Sequence, residues 1–166
     1  HLLTQIDAQQ YFILQLSVKE GIVARCEGSV PDALSKWHGI YPQAEELQQT
    51  DILLTINSQL IEIFTLLGEG DSVRKYLHKQ QVLYGSIVNT SLQVENYLRI
   101  IELELQDQDT TAAKEAFVEL DKIWSEDVPP NYKNRYVSLK SKYYQLVGNY
   151  LEAYQYARSS QKIKDT

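Results

Sequence analysis

Short breaks recur along this chain at a nearly constant interval, and each interval holds two segments with helical spacing of apolar residues. The breaks are Glu27-Gly28-Ser29, Leu67-Gly68-Glu69, Gln106-Asp107-Gln108 and Val147-Gly148-Asn149, and their centres step by 40, 39 and 41 residues. A helix pair cannot bury its apolar stripe alone, so a repeated pair must stack on its neighbours. Five residues after each break stands a small or β-branched side chain: Ala33, Val73, Ala112 or Ala153. Four residues before it stands Ala24, Phe64, Leu103 or Tyr144. The small residue lets the two helices of a pair approach closely, and the larger one fills the gap between them.

The stripes follow the 3-4 spacing of one helix face. Leu53, Ile56, Leu60, Ile63, Phe64 and Leu67 form one, and Ala113, Ala116, Phe117, Leu120, Ile123 and Trp124 another. No segment alternates with period two, so strands are not required. Cap chemistry marks the ends. Ser29 precedes Pro31, Thr90 with Gln93 fits a capping box, Asp109 opens a helix, and Asn131 follows Pro129-Pro130 as a cap. The predicted helices span about 4–27, 31–48, 51–67, 71–86, 91–106, 110–125, 132–147 and 150–164. They give repeats at about 4–48, 51–86, 91–125 and 132–164 within one domain, residues 1–166. The first residue is His1, the chain has no Met, and Ile163-Lys164-Asp165-Thr166 stops mid-pattern. It reads as a fragment of a longer protein.

Composition narrows the function classes. Hydrophobic residues make up 43% and charged residues 23%, the balance of a folded globular chain. No stretch approaches the roughly 18 apolar residues a membrane span needs, so direct membrane insertion is not expected. The single cysteine, Cys26, excludes an intrachain disulfide and is expected to be a buried structural residue. The net charge of −6 disfavours nucleic acid as partner. That charge is uneven: residues 1–130 carry 9 basic and 20 acidic side chains, residues 131–166 carry 7 and 2. The basic end also holds Tyr132, Tyr136, Tyr143, Tyr144, Tyr150, Tyr154 and Tyr156. Tyr156 lies off the apolar stripe and is a candidate interface residue.

Residues 136–160 resemble a tetratricopeptide repeat, through Ser141, Tyr144, Gly148, Tyr150, Glu152-Ala153 and Ala157. The stretch from Cys26 to Leu34, with Gly21 and Ala24 upstream, is a weaker match, and the two middle units are degenerate. The resemblance implies an all-α, right-handed α-solenoid of about four antiparallel helix pairs. The tail from Tyr154 to Thr166 is similar to the last repeat of bacterial sensors, in which such a region leads to a histidine kinase or a GGDEF-type diguanylate cyclase.

Catalysis has little support. His1, His38 and His78 are far apart, with no carboxylate or thiol at metal-ligand spacing, and Gly68-Glu69-Gly70 lacks the Lys-Ser/Thr of a phosphate loop. Asn89-Thr90-Ser91 matches a glycosylation acceptor but serves better as a helix cap. No cofactor or metal is expected. In a helix-pair solenoid the binding surface is the concave face, lined by the first helix of each pair. Counting 3, 6, 10 and 13 residues back from each break gives Arg25, Ile22, Val18 and Gln15, then Thr65, Glu62, Ser58 and Thr55. The third pair gives Glu104, Ile101, Tyr97 and Val94, and the fourth Gln145, Lys142, Ser138 and Arg135. Ile22, Ile101 and Tyr97 could equally pack between repeats. The groove residues are therefore Arg25, Ser58, Glu62, Thr65, Tyr97, Glu104, Arg135, Ser138, Lys142 and Gln145. Ser58, Glu62 and Ser138 stand where a clamp for a terminal carboxylate needs Asn or Lys, so that chemistry is excluded. The expected partner is a protein or peptide, or a small molecule, and homo-oligomers are open. Three settings fit: a sensor region in the periplasm or cytoplasm, the peptide-binding domain of a helix-turn-helix transcription regulator, and a stand-alone scaffold.

Overall fold

The computed structural model describes the backbone of residues 2–87, 90–125 and 127–164 and the side chains of 8–87, 90–125 and 127–161. His1, Asn89, Asp165 and Thr166, and the side chains of Leu2, Leu3, Ile6, Lys162, Ile163 and Lys164, lie outside the described residues. Among the described residues there are eight helices and no strand. They are α1 (Leu2–Cys26), α2 (Val30–Glu46), α3 (Thr50–Leu67), α4 (Gly70–Ser86), α5 (Thr90–Gln106), α6 (Thr110–Ile123), α7 (Pro130–Leu146) and α8 (Tyr150–Lys164). They pack in consecutive pairs, the all-α arrangement the periodicity predicts.

One backbone device closes every pair. Gly28, Gly68, Gln108 and Gly148 have φ of 86°, 72°, 60° and 79°. In each case the next N–H donates to the carbonyl five residues back: Ser29 to Ala24, Glu69 to Phe64, Asp109 to Glu104 and Asn149 to Tyr144, at 2.8–2.9 Å. This left-handed cap satisfies a carbonyl the helix end would leave orphaned. The positions 28, 68, 108 and 148 are a constant 40 apart. The third break is therefore centred on Gln108, one residue beyond the Asp107 that the sequence pattern indicated. The small residue that follows it by five is Ala113, fully buried, not Ala112.

Two caps differ from expectation. Gln93 donates to the Tyr84 carbonyl at 3.0 Å instead of closing a capping box with Thr90. Pro129 is the N-cap of α7, whose first residue is Pro130, so Asn131 lies inside the helix. A proline there forfeits no bond, because the first N–H groups of a helix have no acceptor. Asp109 caps as predicted, accepting from the Thr111 and Ala112 N–H groups.

The chain forms two compact units, residues 1–83 and 84–166. In the first, α3 packs on both α1 and α2. Leu14, Val18, Ala33, Trp37, Ile52, Leu53, Ile56 and Leu77 are among its buried side chains. Trp37 is fully enclosed and donates from Nε1 to the Val18 carbonyl at 3.2 Å. Gly21 makes room for it: a Cβ there would lie 2.3 Å from the indole nitrogen. Tyr41 donates to Asn57 Oδ1 at 2.8 Å, deep between α2 and α3. The helix α3 is long and apolar enough to cross a membrane by length and composition alone, a stretch the sequence reading passed over. Ile52, Leu53, Ile56, Leu60, Ile61, Ile63 and Phe64 are buried within the fold, as in a core helix.

In the second unit, α7 packs on α5 and α6, the counterpart of α3 on α1 and α2. Val94, Leu98, Ile101, Leu105, Ala113, Phe117 and Leu120 are buried. Beyond them the packing is aromatic. Tyr136 lies 4.4 Å from Trp124 and 5.8 Å from Phe117, ring centre to ring centre, and Tyr143 and Tyr144 continue the cluster. Tyr156 is half-buried and stacks on Tyr144 at 5.5 Å, so it belongs to the α7–α8 packing. Tyr136 donates to Asp121 at 2.7 Å, and burial together with this carboxylate holds its phenol well above its ordinary pKa. Ala153 and Ser141 bring α7 and α8 together: the Ser141 hydroxyl donates to the Ala153 carbonyl at 2.8 Å.

Candidate functional site

Within each unit the first helices of the two pairs lie side by side, and an arginine–glutamate pair bridges them. In the first unit the bridge is Arg25 of α1. Its Nη1 donates to Gln59 Oε1 at 2.6 Å and Glu62 Oε2 at 2.8 Å, and its Nη2 to Glu62 Oε1 at 2.5 Å. A guanidinium matches a carboxylate in this two-pronged way because both are planar with similar spacing. The hydrogen bonds that Arg25 donates to Glu62 raise its pKa further, so the fork stays charged. At the other end of the seam Tyr11 donates to Asp51 Oδ2 at 2.5 Å and accepts from Gln15 Nε2 at 2.7 Å. The bond to Asp51 raises the Tyr11 pKa by stabilising the protonated phenol.

Ser58 and Thr65 lie on α3 with Glu62, at i, i+4 and i+7. Both are exposed, but their hydroxyls donate to carbonyls of their own helix, Leu54 and Ile61. Ser58 also accepts from Gln80 of α4 at 3.1 Å. These residues offer acceptor lone pairs more than donors.

In the second unit the seam runs between α5 and α7. Arg135 Nη2 donates to Glu102 Oε2 at 2.9 Å, and Tyr132 to Glu95 Oε2 at 3.1 Å. Ser138, Lys142 and Gln145 follow Arg135 on the same stripe of α7, and all three are exposed. Their side chains make no hydrogen bond or ion pair among the described residues. Tyr97 is half-buried, and Val94 and Ile101 are core.

Glu104 is a correction. It is 2% exposed and cannot line a groove. Counted from Gln108, Glu104 takes the interhelix position that Ala24, Phe64 and Tyr144 hold in the other pairs. The same recount places Glu102 and Glu95 at the sites 6 and 13 residues before the turn. These are the two carboxylates that meet Arg135 and Tyr132, and the sequence pattern missed them by one residue. Tyr11 and Asp51 were missed for another reason: each stands 17 residues before its turn, one helical turn beyond the last position counted, while Gln59 lies beside the stripe.

Other candidates resolve simply. Cys26 is exposed at the end of α1 and is not the buried thiol expected. His38 and His78 are exposed, and His38 Nε2 lies 3.1 Å from the Tyr76 hydroxyl. Among the described residues no three His, Cys, Asp or Glu side chains converge to hold a metal. Part of the basic end is spent internally. Lys140 sits over the Phe117 ring at 4.3 Å and 3.3 Å from Asp121, and Arg135 is paired with Glu102. The sequence matches no protein-family model and no curated protein.

Proposed function

We propose that the chain is a non-catalytic binding module that takes a protein or peptide along the first helices of its pairs. The observation that carries this reading is the row Ser138, Lys142 and Gln145 on α7. These side chains stand exposed on the stripe that Arg135 begins, with their own hydrogen-bonding capacity unspent. The Arg135–Glu102 ion pair bridges α5 and α7 next to the row. Lys142 adds a positive charge, which favours an acidic or acceptor-rich segment. The tetratricopeptide resemblance of residues 136–160 supports the same use of this helix. It also supports a setting in the sensor or interaction region of a bacterial signalling protein, ahead of a kinase or diguanylate cyclase output. A helix-turn-helix segment encoded upstream would favour the regulator setting instead.

Panning a phage-displayed library of random peptides against the immobilised chain tests the binding face. The expected result is an acidic consensus whose binding drops at least tenfold with Lys142→Glu, with helical content unchanged. Selected peptides that bind Lys142→Glu and Ser138→Arg as well as the parent chain would move the site off α7.

A further inference from the structure

The helices α1 and α8 each hold a row of large apolar side chains out to solvent. On α1 the row is Phe12, Leu16 and Val23, which are 65%, 49% and 53% exposed. On α8 it is Tyr150, Leu151 and Tyr154, which are 73%, 68% and 66% exposed. Isolated exposed apolar residues need no explanation, but rows at helical spacing are the form that helix packing uses. Both units show how this chain fills such surfaces: a helix of one pair lies on the side of the neighbouring pair, α3 on α1 and α2, and α7 on α5 and α6.

The α1 row borders an open groove of about 690 Å³ between α1 and α2. Leu16, Val23 and Ala24 line it, and Glu20, Glu27 and Asp32 outnumber Lys19 and Lys36 around it. Lys36 is already paired with Glu20 at 2.8 Å. The α8 row has the opposite character. Arg158 follows Tyr154 by one turn and is exposed, whereas Glu152 lies off the row, in electrostatic reach of Tyr156. A groove-to-groove contact would set the Glu27–Asp32 rim against itself, and a row-to-row contact would set Arg158 against Arg158. The head-to-tail contact sets Arg158 against Glu27 and Asp32.

We propose that the α1–α2 groove receives the α8 row of a second copy of this chain, with Leu151 and Tyr154 seated on Leu16 and Val23 and Arg158 toward the Glu27–Asp32 rim. Such a contact is heterologous: each copy keeps one groove and one row to offer, so association propagates beyond a dimer.

Sedimentation velocity tests this on the 166-residue chain, between about 5 and 200 µM, where contacts of micromolar affinity change population. The average mass is expected to rise with concentration and to fall back in high salt. Val23→Glu removes the groove and Leu151→Glu removes the row. Each variant alone is expected to stay monomeric with unchanged helical content, since both positions face solvent. Mixed in equal amounts they are expected to form a heterodimer that grows no further, because one intact groove meets one intact row. A parent chain that stays monomeric across this range overturns the proposal. So does self-association of either variant alone, which would mark a symmetric contact, or an equimolar mixture that remains monomeric.

Discussion

In the first unit a tryptophan is fully enclosed against a glycine, while in the second a tryptophan lies at the edge of a tyrosine cluster. Trp37 is fully buried and bonded to a backbone carbonyl, and Leu14, Val18, Ile52 and Ile56 are buried in the same unit. Trp124 is half-buried against Tyr136, and among the described residues α7 and α8 bury only Leu139, Ser141 and Ala153. The seams differ as well. The cation comes from the earlier helix in the first unit, Arg25 to Glu62, and from the later helix in the second, Arg135 to Glu102. Yet the left-handed turn and its hydrogen bond to the fifth residue back recur in both. What repeats is the backbone device and the small residue beyond it. The side chains that fill the space between helices are free to change, provided their volume is matched.

Five substitutions, at three places in the fold, would break or sharpen this contrast. The largest effect is expected from Ala153→Arg. Ala153 is 3% exposed where α7 and α8 meet, and the few large aliphatic contacts of that pair offer no reserve. A charge forced there without a partner should cost about 3–5 kcal/mol. Hydrogen exchange read by mass spectrometry should show lost protection across residues 130–161. Unchanged protection there would mean that the α7–α8 approach does not depend on a small residue.

Gly21→Ala comes next, and it sets two effects against each other. Alanine improves helix propensity by about 1 kcal/mol, but its methyl group would overlap Trp37, and overpacking of that kind costs roughly 1–3 kcal/mol or more. With the gap only 2.3 Å to a ring buried on all sides, the clash should win, for a net loss of about 2 kcal/mol in denaturant unfolding. Gly39→Ala supplies the opposite sign. Nothing lies within 4 Å of its Cβ position, so propensity alone acts and the chain should gain about 0.5–1 kcal/mol. Equal effects at the two glycines would show that Trp37 yields easily.

The smallest effect tests the register of the second unit. Gln108 holds a left-handed conformation that costs a side-chain-bearing residue about 1 kcal/mol relative to glycine. Gln108→Gly should stabilise by about that amount, and Asp107→Gly should not. A gain at Asp107 instead would restore the steps of 39 and 41.

That register also marks the limit of what the residues alone reveal. Helix boundaries were readable to within about two residues, because Gly28, Gly68, Gly148, Pro31 and Asp109 carry their backbone requirements openly. At Gln106-Asp107-Gln108 no glycine marks the left-handed residue, since the turn tolerates glutamine at modest cost. The resulting slip placed Glu104 on the surface and left Glu102 and Glu95 unnoticed. Arg25 and Glu62 were found because both of their turns carry glycine. Their pairing was not, because it depends on how two helices lie against each other, which the spacing within either one does not encode. Cys26 was misjudged for a simpler reason: it stands about 200° round α1 from the buried Ala24 and faces solvent.

The constant interval between the left-handed turns inside the four pairs limits how such a chain can change in length. One residue added inside a helix swings everything beyond it by about 100° around the axis, since a turn holds 3.6 residues. One added at the turn severs the bond to the fifth residue back. Either change would rotate a buried stripe into water. Gain or loss of a whole 40-residue step does neither, since every later stripe keeps its bearing. For this sequence the inheritable increment of length is therefore the helix pair, and copy number is the variable that duplication can alter without disturbing what each copy buries.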